Sequence, residues 1–261
     1  MALLEVKHLG IRFGGLRAVN DVTFDINDNE IVGLIGPNGA GKTTVFNLLT
    51  NVYAPTEGEI LVDGVNTRSL KQHQTVDFGL ARTFQNIRLF KSMSALENIK
   101  VGFHNNGKYG ITSSVLRLPS YWKEEGEYTE RAMRLLEAFD MADTAEMEAG
   151  NLPYGRQRKL EICRALAASP KLLLLDEPAA GMNPTETQEL MDTIRLVQEK
   201  FSISILLIEH DMNLVMGICE RLIVLNYGKI LATGTPEQVR ANPEVIGAYL
   251  GSEGDPDAAA N

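Results

Sequence analysis

The chain has 261 residues, of which 44% are hydrophobic and 23% are charged, a composition that fits a soluble globular protein with one substantial core. Its net charge of -9 and isoelectric point near 5.1 argue against the basic surface of a nucleic-acid-binding protein, so we expect no nucleic-acid partner. Cys163 and Cys219 are the two cysteines, and their spacing matches neither a metal site nor a disulfide framework. A reducing compartment is therefore expected.

The first residues lack the charged and apolar regions of a secretory signal. The longest apolar runs are far shorter than the ~20 residues that a membrane-spanning helix needs. We therefore expect the chain to stay in the cytosol and to reach a membrane only through a partner.

The first part of the chain has the pattern of antiparallel strands. Apolar and polar residues alternate over short stretches of residues 3–32, which predicts strands with one solvated face. Turn residues on both sides of 59–62 predict another strand and a hairpin. From residue 95 to residue 149 the spacing becomes helical, most clearly at 130–139, which indicates an inserted helical lobe.

The second part of the chain alternates buried strands with helices. Continuous aliphatic runs at 172–175 and 203–208 predict strands of a parallel sheet covered on both faces. Residues 222–232 predict a closing hairpin around Tyr227-Gly228, and the small, polar residues 252–261 predict a frayed tail.

A phosphate-binding loop follows the short apolar run at 31–35. The segment fits the P-loop pattern G-x-x-x-x-G-K-[ST], in which glycines let backbone N–H groups turn toward a nucleotide phosphate. Lys42 is then predicted to meet the β- and γ-phosphates, Thr43 to offer a hydroxyl to Mg²⁺, and the helix N-terminus to favour the anion. The alternative is a glycine-rich turn that only starts a helix. The candidate nucleotide-binding residues are Gly36, Pro37, Asn38, Gly39, Ala40, Gly41, Lys42, Thr43 and Thr44.

Two adjacent carboxylates, Asp176 and Glu177, follow the aliphatic run at 172–175. We predict that Asp176 binds Mg²⁺, because this ion prefers oxygen ligands and keeps part of its hydration shell. We predict that Glu177 polarises the water that attacks the γ-phosphate. Ordinary turn chemistry at Asp-Glu-Pro is the alternative.

With these motifs in order, the chain resembles the nucleotide-binding subunit of an ATP-binding cassette (ABC) transporter over nearly its whole length. The resemblance implies that Gln85 contacts Mg²⁺ or the lytic water, that His210 bonds the γ-phosphate, and that Phe13 stacks on adenine. Each of these three assignments is weak alone, because a lone Gln is usually solvated and a lone His is usually structural. Phe13 would also suit the core.

The resemblance also identifies a variant signature sequence. The family's Leu-Ser-Gly-Gly-Gln corresponds here to Leu152, Pro153, Tyr154, Gly155 and Arg156, which would close over ATP bound to a second cassette. Pro153 has neither a hydroxyl nor a backbone N–H, so two possible contacts with that ATP are missing. The alternative is that Pro153 only begins a helix. Asn183 likewise replaces the Asp that is usual in the loop facing the partner.

The signature variant and the segments 179–184, 208–216 and 234–239 are most similar to ATPase subunits of branched-chain amino-acid importers, although relatives serve urea, amides and other amino acids. The expected fold is therefore an α/β P-loop cassette at residues 1–251, with a mixed β core, an antiparallel β subdomain and a helical subdomain at about 92–168. The aromatic residues of 105–128 either pack locally or contact a permease; they are Tyr109, Tyr121, Trp122 and Tyr128.

The expected ligands are ATP and Mg²⁺. The expected partners are a second ATPase subunit in a heterodimer or a homodimer, two membrane permeases and, indirectly, a solute-binding protein, at the cytoplasmic face of the cell membrane.

Two other classes remain as alternatives. A non-transport ABC ATPase acting on nucleic acid would favour basic surfaces and coiled-coil insertions, whereas this chain is acidic and has no heptad run. A P-loop kinase would leave the signature-like helix, Gln85 and His210 unexplained.

Overall fold

The computed structural model describes residues 2–68, 70–103 and 119–252. The described chain divides into two compact units, one formed by Met1–Arg82 with Lys171–Asn261 and the other by Thr83–Pro170. Residues 253–261 of the predicted tail lie outside the described residues, and so does Tyr109 of the 105–128 segment.

The first unit contains a six-stranded sheet that carries the aliphatic runs. The strand order is β10-β9-β3-β8-β7-β6, and neighbouring strands are parallel except for the terminal β9–β10 hairpin. Every residue of β3, β7 and β8 is buried, as predicted for strands covered on both faces. The bounds are β3 Ile31–Ile35, β6 Leu80–Arg82, β7 Leu172–Asp176, β8 Ser204–Ile208, β9 Arg221–Asn226 and β10 Lys229–Gly234.

A four-stranded antiparallel sheet completes the strands of this unit in the order β2-β1-β4-β5. Its inward side chains, among them Leu4, Val6 and Ile26, join Leu34 and Leu206 of the other sheet in one apolar core. The predictions of antiparallel strands in 3–32 and of a hairpin near 59–62 are therefore confirmed. The bounds are β1 Ala2–Phe13, β2 Leu16–Asn27, β4 Glu57–Val62 and β5 Val65–Asn66.

Three helices of the first unit each follow a strand of the parallel sheet. Helix α1 (Lys42–Leu49) follows β3, α5 (Pro184–Phe201) connects β7 to β8, and α6 (Met212–Ile218) follows β8. Helices α7 (Pro236–Arg240) and α8 (Pro243–Ser252) come after β10. The carboxyl ends of β3, β7 and β8 therefore share one edge of the sheet, where ligands bind in open α/β folds.

The second unit is helical and contains α2 (Ala95–Phe103), α3 (Pro119–Ala138) and α4 (Tyr154–Ala167). The predicted apolar face at 130–139 is confirmed, because Ala132, Leu135 and Leu136 are buried. Tyr128 is also buried and stacks on Phe103 with ring centroids 5.4 Å apart. Trp122 is 58% exposed and contacts Tyr121 edge-on.

None of the helices that the structure describes is both long and apolar enough to cross a bilayer. Both cysteines are buried free thiols, and burial raises the pKa of each well above its ordinary value. They pack as small core residues.

Candidate active site

The loop between β3 and α1 requires glycine at two positions. Gly36 has a φ of 148°, and a Cβ built there would lie 2.1 Å from the carbonyl oxygen of Leu225. Gly41 has a φ of 104°, and its Cβ would lie 2.9 Å from the carbonyl oxygen of Ala18. Any side chain at either position would strain or displace the neighbouring strand. Gly36 and Gly41 are thus fixed by close backbone packing as well as by their φ angles.

Lys42 opens α1 and is folded against the loop that precedes it. Its Nζ donates hydrogen bonds to the carbonyl oxygens of Gly36 (2.7 Å) and Pro37 (2.9 Å). Burial lowers the pKa of Lys42, while the negative charge of Glu177 opposes that shift. The ammonium group is therefore held in the loop by neutral acceptors and attracted by one carboxylate.

An open cavity of about 560 Å³ lies over this loop, within the size range of small-molecule sites. Many of the residues that the sequence predicts for nucleotide binding and hydrolysis line this cavity. Leu16, Arg17, Ala18, Tyr227 and Gly228 also line it and were not nominated. The nominated lining residues are Phe13, Asn38, Gly39, Ala40, Gly41, Lys42, Thr43, Thr44, Glu177 and His210.

Phe13, at the end of β1, presents its ring to this cavity. The side chain is 43% exposed, and its edge contacts Tyr53 at a centroid distance of 5.1 Å. The alternative that Phe13 is a core residue is therefore wrong. An exposed aromatic face is the group on which a nucleobase stacks.

The adjacent carboxylates point to different neighbours. Asp176, the last residue of β7, is buried and pairs through Oδ2 with Arg82 Nη2 at 2.6 Å. Arg82 also donates to Asn47 Oδ1 of α1 at 2.8 Å. Glu177 lies in the left-handed region at a φ of 46°, and its Oε1 is 2.9 Å from His210 Nε2. The acid and the histidine thus meet in the cavity.

The few oxygen donors at this site are typical of a Mg²⁺ site and do not form a metal site made only of protein ligands. Among the described residues, no group of three or more His, Cys, Asp or Glu side chains could hold a metal ion. Thr43 is exposed in the cavity, and Asp176 supplies a carboxylate at the strand end. Mg²⁺ commonly takes one or two protein oxygens and fills its shell with water and substrate phosphates.

Gln85 and the signature residues belong to the second unit. Pro153 is the residue before α4 and makes no side-chain cap, so it stands at the start of a helix under both interpretations. Arg156 pairs with Asp143 at 2.8 Å on the surface.

Arg158, two residues after the signature, holds the segment that contains Gln85. It is fully buried and donates to the carbonyl oxygens of Phe84 and Gln85, each at 2.8 Å. Glu161 pairs with Arg158 at 2.7 Å and accepts the N–H of Arg88. This buried pair fixes the backbone of 84–88 against α4.

Asn183 closes the loop after Glu177 by capping α5. Its side chain accepts the N–H groups of Thr185 and Glu186, and Glu186 accepts the N–H of Asn183 in return. A helix cap therefore accounts for an Asn at this position.

A glycine loop between a strand and a helix, with a lysine, a carboxylate and a histidine around the same cavity, is the arrangement of a P-loop nucleotide-binding site. The profile of the ABC transporter family matches residues 19–180 of this chain. The chain belongs to the ABC transporter family of ATP-binding cassettes and is an ATPase of that family.

Individual relatives agree with this assignment over nearly the whole chain. The chain is 50% identical to the high-affinity branched-chain amino acid transport ATP-binding protein LivG of Escherichia coli K12, covering 95% of this chain and 98% of that protein. It is 47% identical to the corresponding protein BraF of Pseudomonas aeruginosa, with the same coverage. A profile described as a branched-chain amino acid ATP-binding cassette transporter matches residues 229–256.

The fold is likewise that of solved cassettes. The ADP conformation of MJ1267, an ATP-binding cassette of an ABC transporter, superposes with a TM-score of 0.84 at 29% identity, covering 96% of this chain and 99% of that one. The predicted fold class is confirmed.

Proposed function

We propose that the chain is the ATP-hydrolysing, energy-coupling subunit of an importer for branched-chain amino acids. The observation that carries the catalytic part is the meeting of Lys42, Glu177 and His210 in one cavity over the P-loop. The solute is inferred from the 50% identity with LivG and from the matching C-terminal profile.

Each residue of the site has its own role in ATP hydrolysis. Lys42 and the backbone N–H groups of the loop bind the β- and γ-phosphates of ATP. Water attacks the γ-phosphorus, Glu177 accepts a proton from that water, and the bond to the bridging oxygen of ADP breaks. His210, in contact with Glu177, bonds the γ-phosphate oxygens. Phe13 stacks on the adenine ring.

Thr43 and Asp176 are the side chains of the first unit that would hold Mg²⁺, which neutralises phosphate charge when bound. Asp176 is already oriented by Arg82, since their ion pair is buried at the strand end. The donors are oxygen atoms, as this ion prefers.

The proposed importer contains further subunits. A second ATPase subunit, in a heterodimer or a homodimer, would supply its own signature to the ATP on this chain, while Leu152 to Arg156 would face the partner's ATP. Pro153 offers that ATP neither a hydroxyl nor an N–H, so we infer an asymmetric dimer in which the site on this chain turns over faster. Two permeases would seat the pair at the cytoplasmic face of the membrane, and a solute-binding protein would act from the other side.

Reconstitution tests this proposal. The chain, its partner ATPase, both permeases and the binding protein are placed in liposomes, and ATP hydrolysis is measured with leucine, isoleucine or valine against urea and simple amides. We expect stimulation and uptake with the branched amino acids only. Stimulation by urea or an amide instead would reassign the solute, and co-purification with nucleic acid rather than permeases would contradict a transport role.

A further inference from the structure

A buried carboxylate outside the nominated set links the two loops that follow β7 and β8. Glu209, directly after β8, is 4% exposed. Its Oε1 accepts the backbone N–H of Ala179 at 2.7 Å, and its Oε2 accepts the N–H of His210 at 2.9 Å. The N–H of Asp211 lies 3.4 Å from the same Oε2. One side chain therefore spans two separate loops.

The loops joined by Glu209 carry the two groups that meet in the cavity. Ala179 is two residues after Glu177, and His210 is the next residue after Glu209. Glu177 is also hydrogen-bonded to this strand end, since its N–H donates to the carbonyl of Ile208 at 2.9 Å. The contact between Glu177 and His210 thus depends on two backbone segments that Glu209 holds at a fixed separation.

The environment of Glu209 consists of backbone donors instead of a cation. In the part of the chain that the structure describes, the hydrogen bonds to its carboxylate come from backbone N–H groups. Burial raises its pKa, the N–H groups of Ala179, His210 and Asp211 oppose that shift, and the negative charge of Glu177 adds to it. A buried carboxylate costs free energy unless hydrogen bonds satisfy it, and bonds to a charged acceptor are the strong ones.

We propose that Glu209 is a positioning residue for hydrolysis. It clamps the loop of Ala179 to the loop of His210 and so keeps the side chains of Glu177 and His210 within hydrogen-bond distance. This inference rests on the proposed function, because it concerns the same hydrolytic site. The same carboxylate connects His210 to Ala179, the residue before the loop 180–183, which by resemblance faces the second cassette.

Substitution by glutamine tests this role, with hydrogen exchange as the readout that does not depend on the lost charge. Glu209→Gln keeps the shape but replaces one carboxylate oxygen with an NH₂ group. Whichever way the amide turns, that NH₂ faces a backbone N–H, either of Ala179 or of His210, and one side of the clamp is lost.

Glu30→Gln is the matched control. Glu30 is also buried in the first unit, where it accepts the N–H of Asn27 at 2.9 Å and pairs with Arg221 at 2.7 Å. It does not line the cavity. Replacing its carboxylate is expected to lower stability without changing a contact of either loop, 177–183 or 209–213.

The experiment compares the two variants with the unaltered full-length chain by amide hydrogen exchange, nucleotide affinity and single-turnover hydrolysis in the reconstituted complex. For Glu209→Gln we expect faster exchange in 177–183 and 209–213, ATP affinity within about twofold, and hydrolysis about tenfold slower or more, the effect of one broken buried bond. Glu30→Gln is expected to lower the unfolding temperature while leaving the hydrolysis rate unchanged.

Unchanged exchange and hydrolysis in Glu209→Gln would overturn the proposal, and so would an equal loss of hydrolysis in both variants, which indicates general destabilisation. The exchange measurement separates this proposal from the proposed function. If the unaltered complex hydrolyses no ATP, the function fails, whereas exchange still decides whether Glu209 clamps the loops.

Discussion

Replacing Glu177 with glutamine is the most direct test of the hydrolytic site. The carboxylate lines the nucleotide cavity, and its Oε1 lies 2.9 Å from His210 Nε2. An amide has the same shape and still bonds the histidine, but it cannot accept the proton of the attacking water. General-base assistance contributes roughly 10²- to 10⁴-fold, or about 3 to 5 kcal/mol of the barrier. We expect hydrolysis to slow by that factor while ATP affinity is unchanged.

The assay is single-turnover hydrolysis in the reconstituted complex, together with ATP titration of the variant chain. Glu244→Gln, an exposed glutamate in the first turn of α8, is the matched control and should behave like the unaltered chain. ATP should also trap the Glu177→Gln assembly with its two cassettes closed. A single-turnover rate equal to that of the control, with nucleotide bound normally, would remove Glu177 from the role of base.

Three further substitutions test binding and the signature. Lys42→Ala removes the buried ammonium group at the phosphate loop and should nearly abolish ATP binding; unchanged titration of a fluorescent ATP analogue by a folded variant would contradict this. Phe13→Ala should weaken ATP and GTP binding alike by about 1 to 3 kcal/mol, because stacking tolerates any purine, and equal affinity to the unaltered chain would exclude stacking. Pro153→Ser should add the missing side-chain cap to α4, raising stability by up to about 1 kcal/mol in thermal unfolding, and should speed hydrolysis at the partner's site. Unchanged hydrolysis at the partner's site would argue against the asymmetric dimer, and unchanged thermal unfolding would argue against the cap.

Much of the fold follows from local patterns in the sequence. The aliphatic runs at 172–175 and 203–208 become the buried strands β7 and β8, because continuous apolar residues suit a strand covered on both faces. The alternation in 3–32 becomes β1 and β2, which expose one side. The P-loop spacing likewise identifies the turn after β3, since two of its glycines have positive φ and no room for a Cβ.

The buried charges were not predictable in this way. Arg158 is fully buried, yet its acceptor on Phe84 lies 74 residues away in the chain. Arg82 is separated from Asp176 by 94 residues. In a single sequence such residues look like solvated positions, because charged side chains are mostly exposed and nothing local marks their partners. Glu209 was missed for the same reason, although its place beside His210 was the one available signal.

The different roles expected of Asp176 and Glu177 have a simple structural cause. Asp176 still belongs to β7 and pairs with Ile208 of β8, so its side chain stays at the buried strand end beside Arg82. At Glu177 the backbone turns to a φ of 46°, a conformation that costs a residue with a Cβ about 1 to 3 kcal/mol. The hydrogen bond from its N–H to Ile208 and the clamp at Glu209 hold that turn in place. The change of backbone direction at Glu177 therefore places its carboxylate in the cavity, where it can contact a water molecule, while the carboxylate of Asp176 stays at the strand end, where it can bind an ion. Glu177→Gly should relieve the strain and lose the base, and a variant without slower hydrolysis would refute this account.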